Sequence, residues 1–326
     1  MKAINLTAPN TWKVEDLPMP SVKKGQVLIK MAFSPINPSD LSFLTGNYGL
    51  KKPFPVVPGL EGSGEVIESG GGFLANRLVG KKVACTAPAW GNGTWAEYMV
   101  TDANLCIDVS EKSDLQQVSM MFVNPLTALS FAKQTKKSGA NMVLLTAAGS
   151  ALAKMVLFFL RSQNIDVVGV VRRSGQIEDL ESKGFKKVFA TDNADYLQQL
   201  KEFSKNYKKA IFFDAIGGGD EPYKLLNVLP PKSKLVIYGR LELKPAAFEP
   251  QQILFKENKV EGYWLSKESA RKSFLEIMND IRQVKKMLVS GFATPIHNVY
   301  GIEAIDTAIA DYTKNMSSGK VLMKLN

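Results

Sequence analysis

Residues 141–173 constrain the fold more than any other part of the chain. An apolar run, Met142–Leu145, enters a turn of small residues at 146–151, and a helical segment follows at 152–161. A second apolar run, 165–171, ends in Arg172-Arg173. This is a strand–turn–helix–strand unit, the first half of a dinucleotide-binding fold. The turn sits where a pyrophosphate would rest on a helix N-terminus, because free backbone N–H groups and the helix dipole favour negative charge there. Gly149, Ser150, Ala151 and Leu152 are the candidate contacts. An acidic residue at the end of the second strand would accept from a ribose 2′-OH, whereas arginine suits a 2′-phosphate, so Arg172 and Arg173 point to NADPH. Of the three fingerprint glycines the turn keeps Gly149; Ser150 and Ala151 are small, and Ala153 stands where a third glycine would allow close helix–strand packing. On spacing alone, a plain strand–helix–strand unit stays open as the alternative.

At about 150 residues per domain, 326 residues suggest two domains. Apolar content of 45% and charged content of 22% are the balance of a soluble globular protein. No segment approaches the roughly 20 apolar residues of a membrane span, and no signal or transit peptide is visible, so an intracellular location is expected, cytoplasmic or in the mitochondrial matrix. The net charge of +10 comes from scattered lysines and arginines without the aromatic interleaving of a nucleic-acid surface. Two cysteines, Cys85 and Cys106, exclude a disulfide scaffold. Zinc needs about three or four converging ligands, which two distant cysteines and the single His297 do not supply. Zinc chemistry and a Ser-His-Asp hydrolase are therefore not expected, and His297 reads as a surface residue in a loop.

The first 120 residues alternate short apolar runs with Pro and Gly, giving strands at 2–6, 27–33, 65–69, 82–86 and 96–100 in a β-rich, barrel-like domain. Helical spacing follows Pro125. From there strands and helices alternate, with strands at 142–146, 165–171, 187–190, 210–214 and 235–238 and helices at 152–161, 177–183, 196–204 and 223–229. That order implies a doubly wound parallel sheet with helices on both faces, an α/β architecture. Two further strand ends carry small residues, and ligands of open α/β sheets bind beyond such ends, so Gly217, Tyr238 and Gly239 join the candidate cofactor contacts. Later stripes at Phe274, Ile277, Met278, Ile281 and Val284, and at Ile302, Ile305, Ile309 and Tyr312, read as core.

The order β-rich, Rossmann-like, mixed tail, taken with the motifs, resembles the zinc-free medium-chain dehydrogenase/reductases over nearly the whole chain. Ile36-Asn37-Pro38-Ser39-Asp40 with Gly46-Asn47-Tyr48 looks like the loop that quinone oxidoreductases and enoyl thioester reductases place over the nicotinamide. Pro58-Gly59-Leu60-Glu61-Gly62-Ser63-Gly64 resembles the family's Pro-Gly-x-Glu-x-x-Gly, with Leu60 where zinc-dependent members carry His. Val123–Ala128, Gly262–Ser266 and Gly319-Lys320-Val321-Leu322 resemble the helix beside the nicotinamide, a segment of the enoyl thioester reductases, and the closing strand. The resemblance implies a GroES-like domain at 1–122, a Rossmann dinucleotide-binding domain at 123–265, and a return to the first domain at 266–326. It also implies Thr127 and Lys320 as cofactor contacts, and a homodimer joined through the cofactor-domain sheets.

Without a metal to polarise a carbonyl, hydride transfer relies on geometry and suits conjugated acceptors: quinones, enones or 2-enoyl thioesters. By the resemblance Tyr48 is the candidate proton donor; a phenol with an ordinary pKa near 10 stays protonated at neutral pH. The same ring could serve only as an aromatic lid. Asn37 is a candidate amide donor or a turn-capping residue. The expectation is an NADPH-dependent reductase of a small conjugated carbonyl substrate, with no nucleic-acid partner. The alternative is a catalytically weak or inactive reductase-fold subunit that serves a binding or structural role in a larger assembly.

Overall fold

The computed structural model describes residues 1–326, the side chain of Gln252 excepted. Fifteen strands run in chain order. β1 (Lys2–Ala8), β2 (Thr11–Asp16), β3 (Gln26–Pro35), β4 (Glu61–Ser69), β5 (Lys82–Thr86), β6 (Tyr98–Asp102) and β7 (Cys106–Asp108) come first. β8 (Met142–Leu145), β9 (Asp166–Val171), β10 (Lys187–Ala190), β11 (Ala210–Asp214), β12 (Lys234–Ile237) and β13 (Lys259–Gly262) follow, and β14 (Ile296–Gly301) and β15 (Lys320–Lys324) close the chain. Two compact units result, one of Met1–Leu126 with Ile281–Asn326 and one of Thr127–Asp280. The boundaries expected from the sequence were 122/123 and 265/266.

In the middle unit the sheet order is β10-β9-β8-β11-β12-β13, every neighbouring pair parallel. Every residue of β8 and β11 is buried, which is why Met-Val-Leu-Leu and Ala-Ile-Phe-Phe-Asp show no alternation: both faces of these strands are covered. Strand order reverses between β8 and β11, the switch point at which such sheets bind ligands. Met142, Leu144, Leu200, Phe212, Leu225 and Leu235 form part of its core.

The other unit holds a seven-stranded sheet, β14-β15-β3-β4-β5-β7, with β6 also paired to β3, and the separate β1–β2 hairpin. Ile4, Ile29, Met31, Trp95, Met99 and Val321 lie in its core. The carboxyl-terminal strand β15 pairs antiparallel with β3. β4 starts at Glu61 rather than at Glu65, because glycines that read as turn punctuation still pair through their backbones: Gly64 lies opposite Met31 and Ser63 opposite Phe33.

Two side-chain expectations need correction. His297 lies in a strand, β14, half-buried, with Nε2 3.3 Å from Asp311 Oδ1. The stripe on the helix Phe274–Val289 is core only in part: Val284 is buried and Ile281 packs beside it, but Phe274 is 71% exposed and Met278 is also exposed. The helix crosses the boundary between the two units, and the cluster of Ala84, Ile107, Val118 and Met121 takes up its later turns. No helix of the described residues is long and apolar enough to cross a membrane.

Candidate functional site

Because β8, β9, β11 and β12 are parallel neighbours, their carboxyl ends lie along one edge of the sheet, and most of the expected cofactor contacts sit there. The helix Ala151–Leu160 begins after Ser150, whose hydroxyl accepts the Ala153 N–H at 3.2 Å. That cap leaves other first-turn N–H groups, including those of Ala151 and Leu152, without an intrahelical acceptor. Gly149 is buried in the turn, and Ala147 before it adopts φ 49°, the left-handed region. The close approach occurs one strand away: a Cβ on Gly169 of β9 would stand 2.7 Å from the Ala148 methyl. Gly169, rather than position 153, is where this unit needs a glycine.

Arg172 and Arg173 follow β9 and are exposed, and among the described residues neither guanidinium has an ion-pair partner. The backbone N–H of Ser174 donates to Asp192 Oδ2 at 2.9 Å, which fixes the turn behind them. At the next strand ends, a Cβ on Gly217 would lie 2.1 Å from the Gly239 carbonyl oxygen, so the two backbones touch. Asp214 organises this corner: its carboxylate accepts from Thr146 Oγ1 at 2.7 Å and from the Gly217 N–H at 2.7 Å. Burial pushes the Asp214 pKa up, and the Thr146 hydroxyl and those N–H groups oppose the rise. Tyr238 meets Phe131 edge-on at 5.0 Å, and Phe131 stacks on Phe213 at 4.0 Å. Thr127 is buried in the same unit, and burial pushes the Tyr263 phenol up to about 12.

Asn37, Tyr48 and Lys320 belong to the other unit. Tyr48 is half-buried, edge-on to Phe43 at 6.5 Å, and lines a cavity of about 180 Å³ with Phe43, Leu50, Lys52 and Phe54. Lys52 donates to the carbonyls of Pro88 at 2.7 Å and Gly91 at 2.5 Å, and burial lowers its pKa to about 8. Asn37 precedes the short helix Pro38–Leu44 and is buried. Its amide nitrogen donates to Glu61 Oε1 at 3.0 Å, its amide oxygen accepts from Lys320 Nζ, and its backbone N–H donates to Asp40 Oδ2 at 2.8 Å. Lys320 thus meets Asn37 within this unit. Glu61 and Asp40 carried no assigned role in the sequence. Glu61 stood inside a recognised motif, and an acidic residue amid apolar and glycine positions was the available signal. Among the described residues no three His, Cys, Asp or Glu side chains converge as a metal site.

Comparison with known proteins bears on both units. The family described as "Alcohol dehydrogenase GroES-like domain" matches residues 23–111, and the one described as "Zinc-binding dehydrogenase" matches residues 151–280. A solved protein of Mesorhizobium loti, assigned as an NADPH:quinone reductase, is 30% identical with a TM-score of 0.91, covering 99% of this chain and 98% of that one. One from Bacillus thuringiensis with the same assignment is 25% identical with a TM-score of 0.87, covering 100% and 99%. The mitochondrial enoyl-[acyl-carrier-protein] reductase of Mus musculus is 28% identical over 287 residues, 83% of this chain and 75% of that protein.

Proposed function

The chain belongs to the medium-chain dehydrogenase/reductase superfamily, among the quinone oxidoreductase and enoyl reductase-like members, and from that premise we propose that it is an NADPH-dependent reductase of conjugated carbonyl compounds. The observation that carries the cofactor choice is the pair Arg172-Arg173 at the end of β9, two exposed guanidiniums with no ion-pair partner among the described residues. Planar guanidinium suits a phosphate monoester through paired N–H donors. The strand-end edge fits the rest of a dinucleotide: N–H groups at a helix start suit a pyrophosphate, and the glycine backbones at 217 and 239 pack against each other at the neighbouring strand ends.

When bound, the reduced nicotinamide supplies a hydride. The chain's own residues do the remaining work. Ala151 and Leu152 hold pyrophosphate oxygens through backbone N–H groups, and Gly149 keeps the turn open to them. Asn37, wholly buried, holds the loop ahead of the helix Pro38–Leu44 through its contacts with Glu61, Asp40 and Lys320. Tyr48 donates the proton that completes saturation of the acceptor. Quinones, enones and 2-enoyl thioesters all fit this scheme, because their charge delocalises and asks only for hydrogen-bond donors. A homodimer formed along the edge strand β13 completes the reading; all four of its residues are exposed.

The test is a paired titration and assay. NADPH quenching of the tryptophan fluorescence should saturate at lower concentration than NADH quenching, and Arg172→Ala with Arg173→Ala should remove the difference. Purified protein should oxidise NADPH with 9,10-phenanthrenequinone or crotonyl-CoA. Equal or tighter NADH binding would sink the cofactor assignment. No binding and no turnover would leave the non-catalytic subunit role standing.

A further inference from the structure

The two cysteines stand on β5 and β7, and the fold sets them directly opposite one another: in this antiparallel ladder the Cα partner of Cys85 is Cys106. Side chains directly opposite across an antiparallel pair share one face of the sheet. Cys85 is buried in the core of this unit and Cys106 is half-buried against the same core. Ala84 and Ile107, the neighbouring pair, pack in a separate cluster, as alternation along the two strands requires.

The ladder also decides which kind of pair the cysteines form. The Val109 N–H donates to the Lys82 carbonyl at 3.0 Å, which marks Lys82 and Val109 as a hydrogen-bonded pair. Hydrogen-bonded and non-hydrogen-bonded pairs alternate along an antiparallel ladder. Cys85 and Cys106, three steps on, are therefore a non-hydrogen-bonded pair, and the Cys106 N–H donates to the Ala103 carbonyl instead of to Cys85. Cα atoms of such pairs lie about 4.5 Å apart. A disulfide spans Cα separations of about 4.4–6.8 Å, so a bridge here asks for rotation of two side chains and little movement of either strand. As thiols the two face other partners: Cys85 Sγ donates to the Gly62 carbonyl at 3.5 Å and meets Met31 Sδ at 4.0 Å, and Cys106 Sγ donates to the Asp102 carbonyl at 3.9 Å.

We propose that Cys85 and Cys106 are an oxidation site that closes to an intrachain disulfide when the protein meets hydrogen peroxide. The half-buried Cys106 takes the first step. Its sulfur attacks one peroxide oxygen, the O–O bond breaks, and Cys106 becomes a sulfenic acid as water leaves. The Cys85 sulfur then attacks the Cys106 sulfur; the S–S bond forms, the S–O bond breaks, and a second water leaves with the Cys85 proton. Two thiols lose two electrons and the peroxide is reduced to two waters. Burial pushes the Cys106 thiol up to about 12, with the Asp102 charge adding to the rise, and burial holds Cys85 well above its ordinary value. Thiolate, the attacking form, is scarce in both, so the bridge forms slowly and records sustained exposure. Its effect falls on the rim of the sheet: β7 is a three-residue edge strand, and the bridge ties it to β5 while closing the loop 86–105. The site lies within one unit and needs neither cofactor nor acceptor.

The experiment treats the full-length protein with excess hydrogen peroxide for hours and then removes the peroxide. The two thiols that titrate in denaturant should both disappear, the chain should lose the mass of two hydrogens, and proteolysis should give one peptide pair joined through Cys85 and Cys106. Dithiothreitol should reverse all three changes. The thermal midpoint of the oxidised protein should rise by about 5 °C, and exchange of the Ile107 amide should slow by about tenfold. Cys106→Ser should show neither the mass loss nor the shift. In Cys85→Ala the sulfenic acid has no partner, and dimedone should trap it on Cys106; absence of that adduct overturns Cys106 as the point of attack. Two thiols still titratable after treatment overturn the proposal, as do added oxygen mass without a joined peptide pair and disulfides formed only between chains. A joined pair with unchanged midpoint and unchanged Ile107 exchange overturns the tie between β5 and β7.

Discussion

Asp40 is a carboxylate with its two oxygens in different circumstances. Oδ2 accepts the Asn37 N–H at 2.8 Å; Oδ1 has no hydrogen-bond partner among the described residues, and the side chain is 0% exposed. Burial raises its pKa to about 7, the Glu61 charge adds to the rise, and the Asn37 N–H and the Lys320 ammonium oppose it. Of the other ionisable groups facing this cluster, burial raises Glu61 and Tyr312 and lowers Lys320. An unfolded aspartate titrates near 4, so between about pH 4 and pH 7 the folded chain binds the extra proton and Asp40 lowers stability progressively as pH rises. The full cost is ~4 kcal/mol at most, reached above pH 7. Asp311, held at about 2 by hydrogen bonds from Asn298 and Asn315, titrates below this window. Asp40→Asn keeps an acceptor for the Asn37 N–H and cannot ionise, so its thermal midpoint should exceed the wild type's at pH 8 and match it near pH 4. A variant less stable than wild type at pH 8 would refute this. Asn37 and Tyr48 could be picked out in the sequence because they stand in a loop of recognisable order. Asp40 and Glu61 could not be assigned a role: Glu61 meets the residues opening the helix Val123–Ser138 and the Lys320 charge of β15 acts on both, although Asp40's own hydrogen-bond partner, the Asn37 N–H, is only three residues away.

At the scale of elements, the turn between β8 and its helix holds one glycine, Gly149, and takes its left-handed residue from an alanine. Ala147 takes the left-handed conformation at φ 49°, which costs an L-residue ~1–2 kcal/mol relative to its ordinary basins. Ala147→Gly relieves that strain and returns part of it as unfolded-chain entropy, so a net gain of ~0.5–1 kcal/mol is expected in denaturant unfolding. The substitution also removes a methyl from the face of the turn, and NADPH should bind at least as tightly. A loss of stability would show that the Ala147 methyl packs usefully. Sequence periodicity located most of this unit: β10, β11 and the helix Tyr196–Ser204 begin and end where the apolar pattern does. Position 153 looked like the obstacle, yet Ala153 is accommodated in the core and the tight contact is Ala148 on Gly169. That contact joins a turn to a neighbouring strand, and no local pattern carries it. β2 was missed for a different reason: in Thr-Trp-Lys-Val-Glu-Asp the apolar face is only Trp12 and Val14, partly buried against the core, too short a pattern to read.

For the whole molecule the open question is what meets β13. The strand is the edge of a parallel sheet, its four residues exposed, and Leu254 and Phe255 just before it are 67% and 81% exposed. An uncovered edge with apolar neighbours invites strand pairing. The sequence Lys259-Val260-Glu261-Gly262 is suited to pair with itself. Antiparallel alignment about Val260 sets Lys259 opposite the partner's Glu261, and Glu261 opposite the partner's Lys259, a self-complementary contact around a two-fold axis. Within the chain Glu261 also contacts Lys234 at 2.6 Å. Light scattering at micromolar concentration should therefore give twice the 35.8 kDa chain mass. Glu261→Lys should shift the protein to monomer by placing like charges opposite each other, and adding Lys259→Glu should restore the dimer, since the exchanged pair is complementary again. Loss of the Lys234 contact persists in the double variant, so a dimer regained there assigns the effect to the cross-strand pair. A monomeric wild type, or a Glu261→Lys protein still dimeric at the same concentration, would place the contact elsewhere.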